Sequence, residues 1–178
     1  DGGLDDWTPV DYGFWRGEMG TSNGPLAAAP LSAMLLDGFS GEDYTIDVGD
    51  VRLQPVRNVY QGYGVMFRSS QDRRGRMNGY MVEIEKVDRY DPGTLYFSKW
   101  VNGNQVRPPI ASRRLDRDFD WENPPRLKVG VEGDTFTAFL DGKQVLQGQD
   151  SLYTEGSVGV AANFGSKMQM DELSVSDP

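Results

Sequence analysis

The chain has 178 residues and contains neither cysteine nor histidine. Without cysteine there is no disulfide scaffold, thiolate zinc site or thiol nucleophile. Without histidine the Ser-His-Asp and Cys-His arrangements, HExxH zinc sites and imidazole acid–base chemistry are excluded. Any catalysis would have to use carboxylates, lysine, tyrosine or a hard metal ion. Basic charge is also scarce: 18 Lys and Arg stand against 27 Asp and Glu, a net charge of −9. Nucleic acids and anionic membranes attract basic surfaces, so neither is an expected partner. No run of apolar residues is long enough to cross a membrane as a helix, so no membrane insertion is expected within this chain. Helical periodicity is rare. Pro30 to Leu36 could form one short turn, and Gly or Pro interrupts every longer candidate. The chain starts at Asp1, which fits a piece of a larger multidomain protein whose leader or anchor lies outside it.

What the sequence does have is period-two alternation. Tyr44, Ile46 and Val48 alternate with Thr45 and Asp47. Tyr80, Val82 and Ile84 alternate with Met81, Glu83 and Glu85, and Leu95 and Phe97 with Tyr96 and Ser98. Leu127, Val129 and Val131, then Phe136, Ala138 and Leu140, repeat the pattern. Alternation means strands with one face buried and one face wet. Turn-forming stretches separate these runs at 38–43, 69–79, 88–93, 102–104 and 132–134. Asp141-Gly142 between two apolar runs is a strong hairpin signal, because both central residues of such a turn take positive φ. Strands about ten residues apart predict one all-β antiparallel sandwich over residues 1–178. Residues 108–125 are less regular and read as a long charged loop.

The blocks resemble the concanavalin A-like, laminin-G-like jelly rolls. The resemblance rests on Trp7 and Trp15-Arg16-Gly17, on Asp43-Tyr44-Thr45-Ile46-Asp47 with Val51-Arg52, and on Gly64-Val65-Met66-Phe67-Arg68. It continues through Gly79-Tyr80-Met81-Val82-Glu83-Ile84, Asp141-Gly142, Asp150, Gly156-Ser157-Val158-Gly159-Val160 and Met170-Asp171-Glu172-Leu173-Ser174-Val175. Within that group the chain is similar to 3-keto-disaccharide hydrolase-like domains and to the fructan-binding modules of levanases. The resemblance implies an extracellular or bacterial cell-surface module that binds a glycan or glycosylated surface. Two alternatives stay open: a carboxylate-based glycoside hydrolase, and a structural or protein-binding domain of a surface filament. The fold hosts all three.

Glu83 and Glu85 lie two apart and share a strand face. The resemblance puts that strand beside residues 64–68 on a concave sheet, so Met66 and Arg68 would join them. Carboxylates beside an arginine can grip vicinal sugar hydroxyls. Tyr96 and Trp100 share parity and could stack on sugar rings. The expected binding set is therefore Met66, Arg68, Glu83, Glu85, Tyr96 and Trp100. A solvated strand face is the competing reading. Glu83 and Glu85, followed by Asp88, are weak catalytic candidates. They depart from the Glu-x-Asp-x-x-Glu motif of retaining glucanases at the middle and last positions. Tyr60, Tyr63 and Tyr90 fall in turn-rich stretches and could line a rim, while Trp7 and Trp15 are expected in the core. Arg73-Arg74-Gly75-Arg76 reads as a hairpin tip or an anion grip. Asp171 has the inward parity of Leu173 and Val175, where an unpaired carboxylate is costly. The resemblance implies a structural Ca²⁺ held by Asp171 with Gly41 and Asp43. The competing readings are a bulge after Met170 that turns Asp171 to solvent, or hydrogen bonds to it from backbone N–H groups.

Overall fold

The computed structural model describes residues 7–10, 31–55, 61–88, 90–163 and 166–178, and none of these is helical. The twelve strands are β1 (Trp7–Val10), β2 (Leu31–Leu36), β3 (Tyr44–Pro55), β4 (Gln61–Gln71), β5 (Met77–Lys86) and β6 (Thr94–Val101), then β7 (Asn104–Arg114), β8 (Leu127–Glu132), β9 (Thr135–Leu140), β10 (Lys143–Gln149), β11 (Ser157–Asn163) and β12 (Ser166–Ser176). They form two antiparallel sheets. One runs β1-β2-β11-β4-β5-β6-β7, the other β10-β9-β8-β3-β12. The residues expected to make a short helical turn are instead β2, which pairs with both β1 and β11. Ladder pairing on both sides outweighs a weak local preference.

The sheets meet over one core. Tyr63, Val65, Phe67, Tyr80, Val82, Ile84, Leu95 and Phe97 from the larger sheet face Ile46, Val48, Leu127, Val129, Val131, Phe136 and Ala138 from the smaller. Phe136 sits at its centre, 4.6 Å from Tyr80, 4.8 Å from Phe67 and 6.0 Å from Phe97 between ring centres. Such aromatic contacts each add about 0.5–1.5 kcal/mol beyond area burial. Two-residue hairpins close β6–β7 and β9–β10. Their central residues are Asn102 (φ 53°) with Gly103 (φ 77°), and Asp141 (φ 47°) with Gly142 (φ 77°). The double positive φ matches the right-handed twist of the joined strands.

The charged loop expected at 108–125 begins as a strand, since β7 extends to Arg114. The remainder closes one end of the sandwich. Phe119 and Trp121 pack against the core, and the Gln61 amide donates to the Trp121 carbonyl at 3.1 Å. These contacts direct the loop's aromatic side chains to the inter-sheet core rather than to the sheet's outer face.

Candidate functional site

The outer face of the seven-stranded sheet, away from the core, carries the first candidate site. Its centre is Glu83 on β5, only 4% exposed. Alternation sends Val82 and Ile84 into the core and Glu83 the other way, beside Tyr96 of β6. The Tyr96 hydroxyl donates to Glu83 Oε2 at 2.9 Å, and the Gln105 amide of β7 donates to Oε1 at 2.7 Å. The Ser98 hydroxyl also donates to Oε1. Trp100 Nε1 donates to Ser98 Oγ at 3.1 Å, which extends the chain of hydrogen bonds by one residue. The Arg107 guanidinium lies 5.6 Å from the Tyr96 ring centre.

Burial raises the Glu83 carboxyl from its ordinary 4.5 to about 7. The Glu85 charge pushes the same way, while the donors Ser98, Tyr96 and Gln105 oppose it. Burial and the two nearby carboxylates push the Tyr96 phenol up. Access differs across this array. Glu83, Tyr96 and Ser98 are buried, Glu85, Trp100 and Gln105 are half-buried, and Arg107 is exposed. The buried three hold the others in place.

Met66 shares this face but not the reachable part of it. It is fully buried in a second apolar cluster with Ala33, Leu35, Met77, Met81 and Ala161, against which Trp100 packs. Glycine makes that cluster possible. A Cβ at Gly64 would come within 2.5 Å of Met81 Sδ, and one at Gly159 within 2.3 Å of Met66 Cε.

Arg68 is not on this face. Its φ of 45° marks a bulge, and the β4–β5 register shifts between Phe67 and Ser70. The extra residue reverses the parity and sends the side chain toward the core. The guanidinium is 5.8 Å from the Phe136 ring centre and donates twice to the Glu42 carbonyl, at 2.9 and 2.8 Å. It also donates to the Tyr153 carbonyl at 3.3 Å and pairs with Asp43 at 3.2 Å. Gly79 and Gly156 flank the bulge. A Cβ on either would lie within 2.7 Å of Arg68 or Ser69 backbone atoms. The expected arginine–carboxylate clamp is therefore not assembled from Arg68.

The three proposed Ca²⁺ ligands do not converge. Asp43 accepts from Arg68 and from the Gly133 amide, and Gly41 bridges to Gly156. Asp171 lies on β12 between Met170 and Glu172, which pair with Val51 and Gly49. That register sets it roughly 20 Å along β3 from Asp43. Asp171 is exposed, accepts from the Gln169 amide at 2.9 Å and sits 3.6 Å from Arg52. The inward parity of β12 switches between buried Met170 and core-packed Leu173, matching a switch in β3 at Asp50 (φ 51°). The kink turns Asp171 to solvent. Among the described residues no three Asp or Glu side chains form a group that could hold a metal ion.

The remaining candidates scatter. Tyr63 is a fully buried core residue, Tyr90 is 79% exposed, and Tyr60 and Trp15 lie outside the described residues. Trp7 falls in β1. The basic run is a hairpin tip pinned by Asp72, which pairs with Arg76 at 2.6 Å. Gln105 and Arg107 were hidden from sequence reasoning, because Pro108-Pro109 made β7 look like a loop.

No protein-family model matches the chain. It is similar to a levanase of Bacillus subtilis (strain 168), 29% identical over 158 residues, covering 86% of this chain and 20% of the levanase. The chain thus spans about a fifth of the curated relative it matches. Among solved structures it is similar to the carbohydrate binding module CBM66 from Bacillus subtilis, with a TM-score of 0.76, 24% identity, and coverage of 97% and 96% of the two chains. It is also similar to the exoplasmic/lumenal domain of VIP36 in its Ca²⁺/Man-bound form, with a TM-score of 0.68, 11% identity, and 97% and 83% coverage. A Bacillus subtilis protein of unknown function with a galectin-like fold gives a TM-score of 0.66 at 13% identity, over 98% and 90%. The fold is a lectin-like jelly roll. The expected resemblance to concanavalin A-like folds and to levanase modules is found.

Proposed function

We infer that the chain is a non-catalytic carbohydrate-binding module of a larger, secreted bacterial protein. The observation that carries this reading is the Glu83 array, a buried carboxylate that orients Tyr96, Ser98 and Gln105 beside the half-buried Trp100 ring. Sugar recognition needs fixed hydrogen-bonding groups next to an apolar ring face, and a carboxylate holding three donors supplies that rigidity. Trp100, Gln105, Glu85 and Arg107 are the groups a ligand would touch, with Glu83, Tyr96 and Ser98 positioning them. Met66 supports Trp100 from below, and Arg68 fixes the edge of the sandwich. The likeness to a levanase and to a carbohydrate-binding module supports the reading and makes levan the first ligand to try.

Binding is favoured over hydrolysis by the state of Glu83. Both of its oxygens accept hydrogen bonds from the protein's own side chains, which leaves neither aimed at a substrate bond. Affinity electrophoresis through levan, inulin and a β-glucan, with reducing-sugar release measured in parallel, tests this. Retardation by a neutral polysaccharide without sugar release is expected. Trp100→Ala should weaken the interaction about tenfold, read on the folded variant because the ring also packs against the methionine cluster. Steady release of sugar, or no retardation in any of the gels, would overturn the assignment.

A further inference from the structure

The outer face of the five-stranded sheet carries a groove of about 350 Å³. That is at the small end of the range for ligand pockets, ~300–1,000 Å³. Its floor centres on Gly130 of β8. Glycine inside a strand weakens it, and usually marks a bend or a close approach by something else. Other glycines in the described strands have such a reason. A Cβ at Gly49, Gly62, Gly64, Gly148 or Gly159 would fall within 3.0 Å of a neighbouring atom, and Gly79 has a φ of 132°. Gly130 has no positive φ, and a Cβ there would meet nothing within 4 Å. The protein's own packing does not require this glycine. Its missing side chain keeps the groove open.

The walls are built in register. Thr45 of β3 and Thr137 of β9 stand directly opposite Gly130 on either side, and Gln147 of β10 lies beyond Thr137. Gln147 Nε2 is 3.4 Å from Thr137 Oγ1, so hydroxyls and an amide form one row across four strands. In the adjacent row Phe139 is half-buried on the same face, next to Lys128. Glu132 closes the other end.

Lys128 and Glu132 stand at opposite ends of the groove, which has no net charge, and the lining between them is neutral. The backbone of β3, β8 and β9 beneath the groove is paired on both sides within the sheet, so a peptide laid across it would find no free ladder there. What remains is a set of neutral donors and acceptors around one aromatic ring, which suits a sugar ring.

We propose that this groove is a second saccharide-binding site, taking one ring of a neutral polysaccharide. The Phe139 face stacks on its C–H surface, and Thr45, Thr137 and Gln147 hydrogen-bond its hydroxyls. The ligand class rests on the carbohydrate-binding reading above, but the site does not. With a site on each outer face, one domain can touch two chains or two stretches of one chain, which raises avidity on an insoluble polymer.

The test is an amide chemical-shift titration of the ¹⁵N-labelled chain with levan oligosaccharides, repeated with inulin and β-glucan oligosaccharides. Shifts at Gly130, Thr137 and Phe139 are expected. Gly130→Val places its Cβ in open space, fills the groove and should abolish them while leaving shifts on β5–β7 intact. Phe139→Ala should weaken this site roughly two- to tenfold. Shifts confined to β5, β6 and β7 would overturn the second site and keep the first. Shifts confined to β3, β8, β9 and β10 would keep the second and overturn the first. Absence of shifts with every sugar would overturn both. Groove shifts that follow protein concentration without sugar would assign the face to self-association and overturn the proposal.

Discussion

The two outer faces of this sandwich come from the same alternating pattern and end up chemically opposite. The face of the large sheet is closed around Glu83 and a methionine cluster, and most of its polar groups bind one another. The face of the small sheet is open around Gly130, and its hydroxyls line a groove. A rigid preorganised array favours selectivity, because its groups are fixed before the ligand arrives. An open row of short hydroxyls on paired strands favours tolerance. The comparison teaches that alternation fixes which residues leave the core, while neighbouring strands decide whether they meet solvent or each other.

The largest expected effect lies at neither face but at the sandwich edge between the sheets. Arg68→Ala removes hydrogen bonds to the Glu42 and Tyr153 carbonyls and a buried cation, so stability should fall by about 3 kcal/mol in urea unfolding. If Arg68 instead served the large-sheet site, the variant would lose ligand and keep stability.

Next comes the pH dependence that separates the two faces. Glu83 titrates near 7 when folded and near 4.5 when unfolded, so between those values the folded state holds the extra proton. Stability from this group is complete below about pH 4.5 and is lost as pH rises through 7, by on the order of 3 kcal/mol. Glu85 and Tyr96 are its titratable neighbours in that array. Glu83→Gln should flatten the decline between pH 5 and 8. A wild-type curve with the same slope as the variant would show that burial of Glu83 is not costly.

The smallest effect is a gain. Gly130→Val adds a strand-favouring side chain in open space, and should raise stability by about 0.5–1 kcal/mol while closing the groove. A loss of stability would mean that the glycine serves the fold and not a ligand.

Much of the fold was legible in the chain. Alternation placed Tyr80, Val82, Ile84, Leu95 and Phe97 in the core, and Asp141-Gly142 turned where its φ preference required. Part of the candidate array was legible too. Glu83, Tyr96 and Trp100 share a face because parity within a regular strand is a local property. Arg68 was misplaced, and the inward reading of Asp171 failed while its solvent-facing alternative held, for one reason. A bulge or kink resets parity, and nothing local in the sequence announces one.

By itself the sequence determined an acidic, all-β chain without imidazole or thiol chemistry, its turns and most of its core. Only the tertiary structure decided that Gln105 reaches Glu83, that Met66 is buried, and that Gly130 stands over empty space. Each of those depends on which strands lie side by side and in what register, and that is set by contacts between residues far apart in the chain.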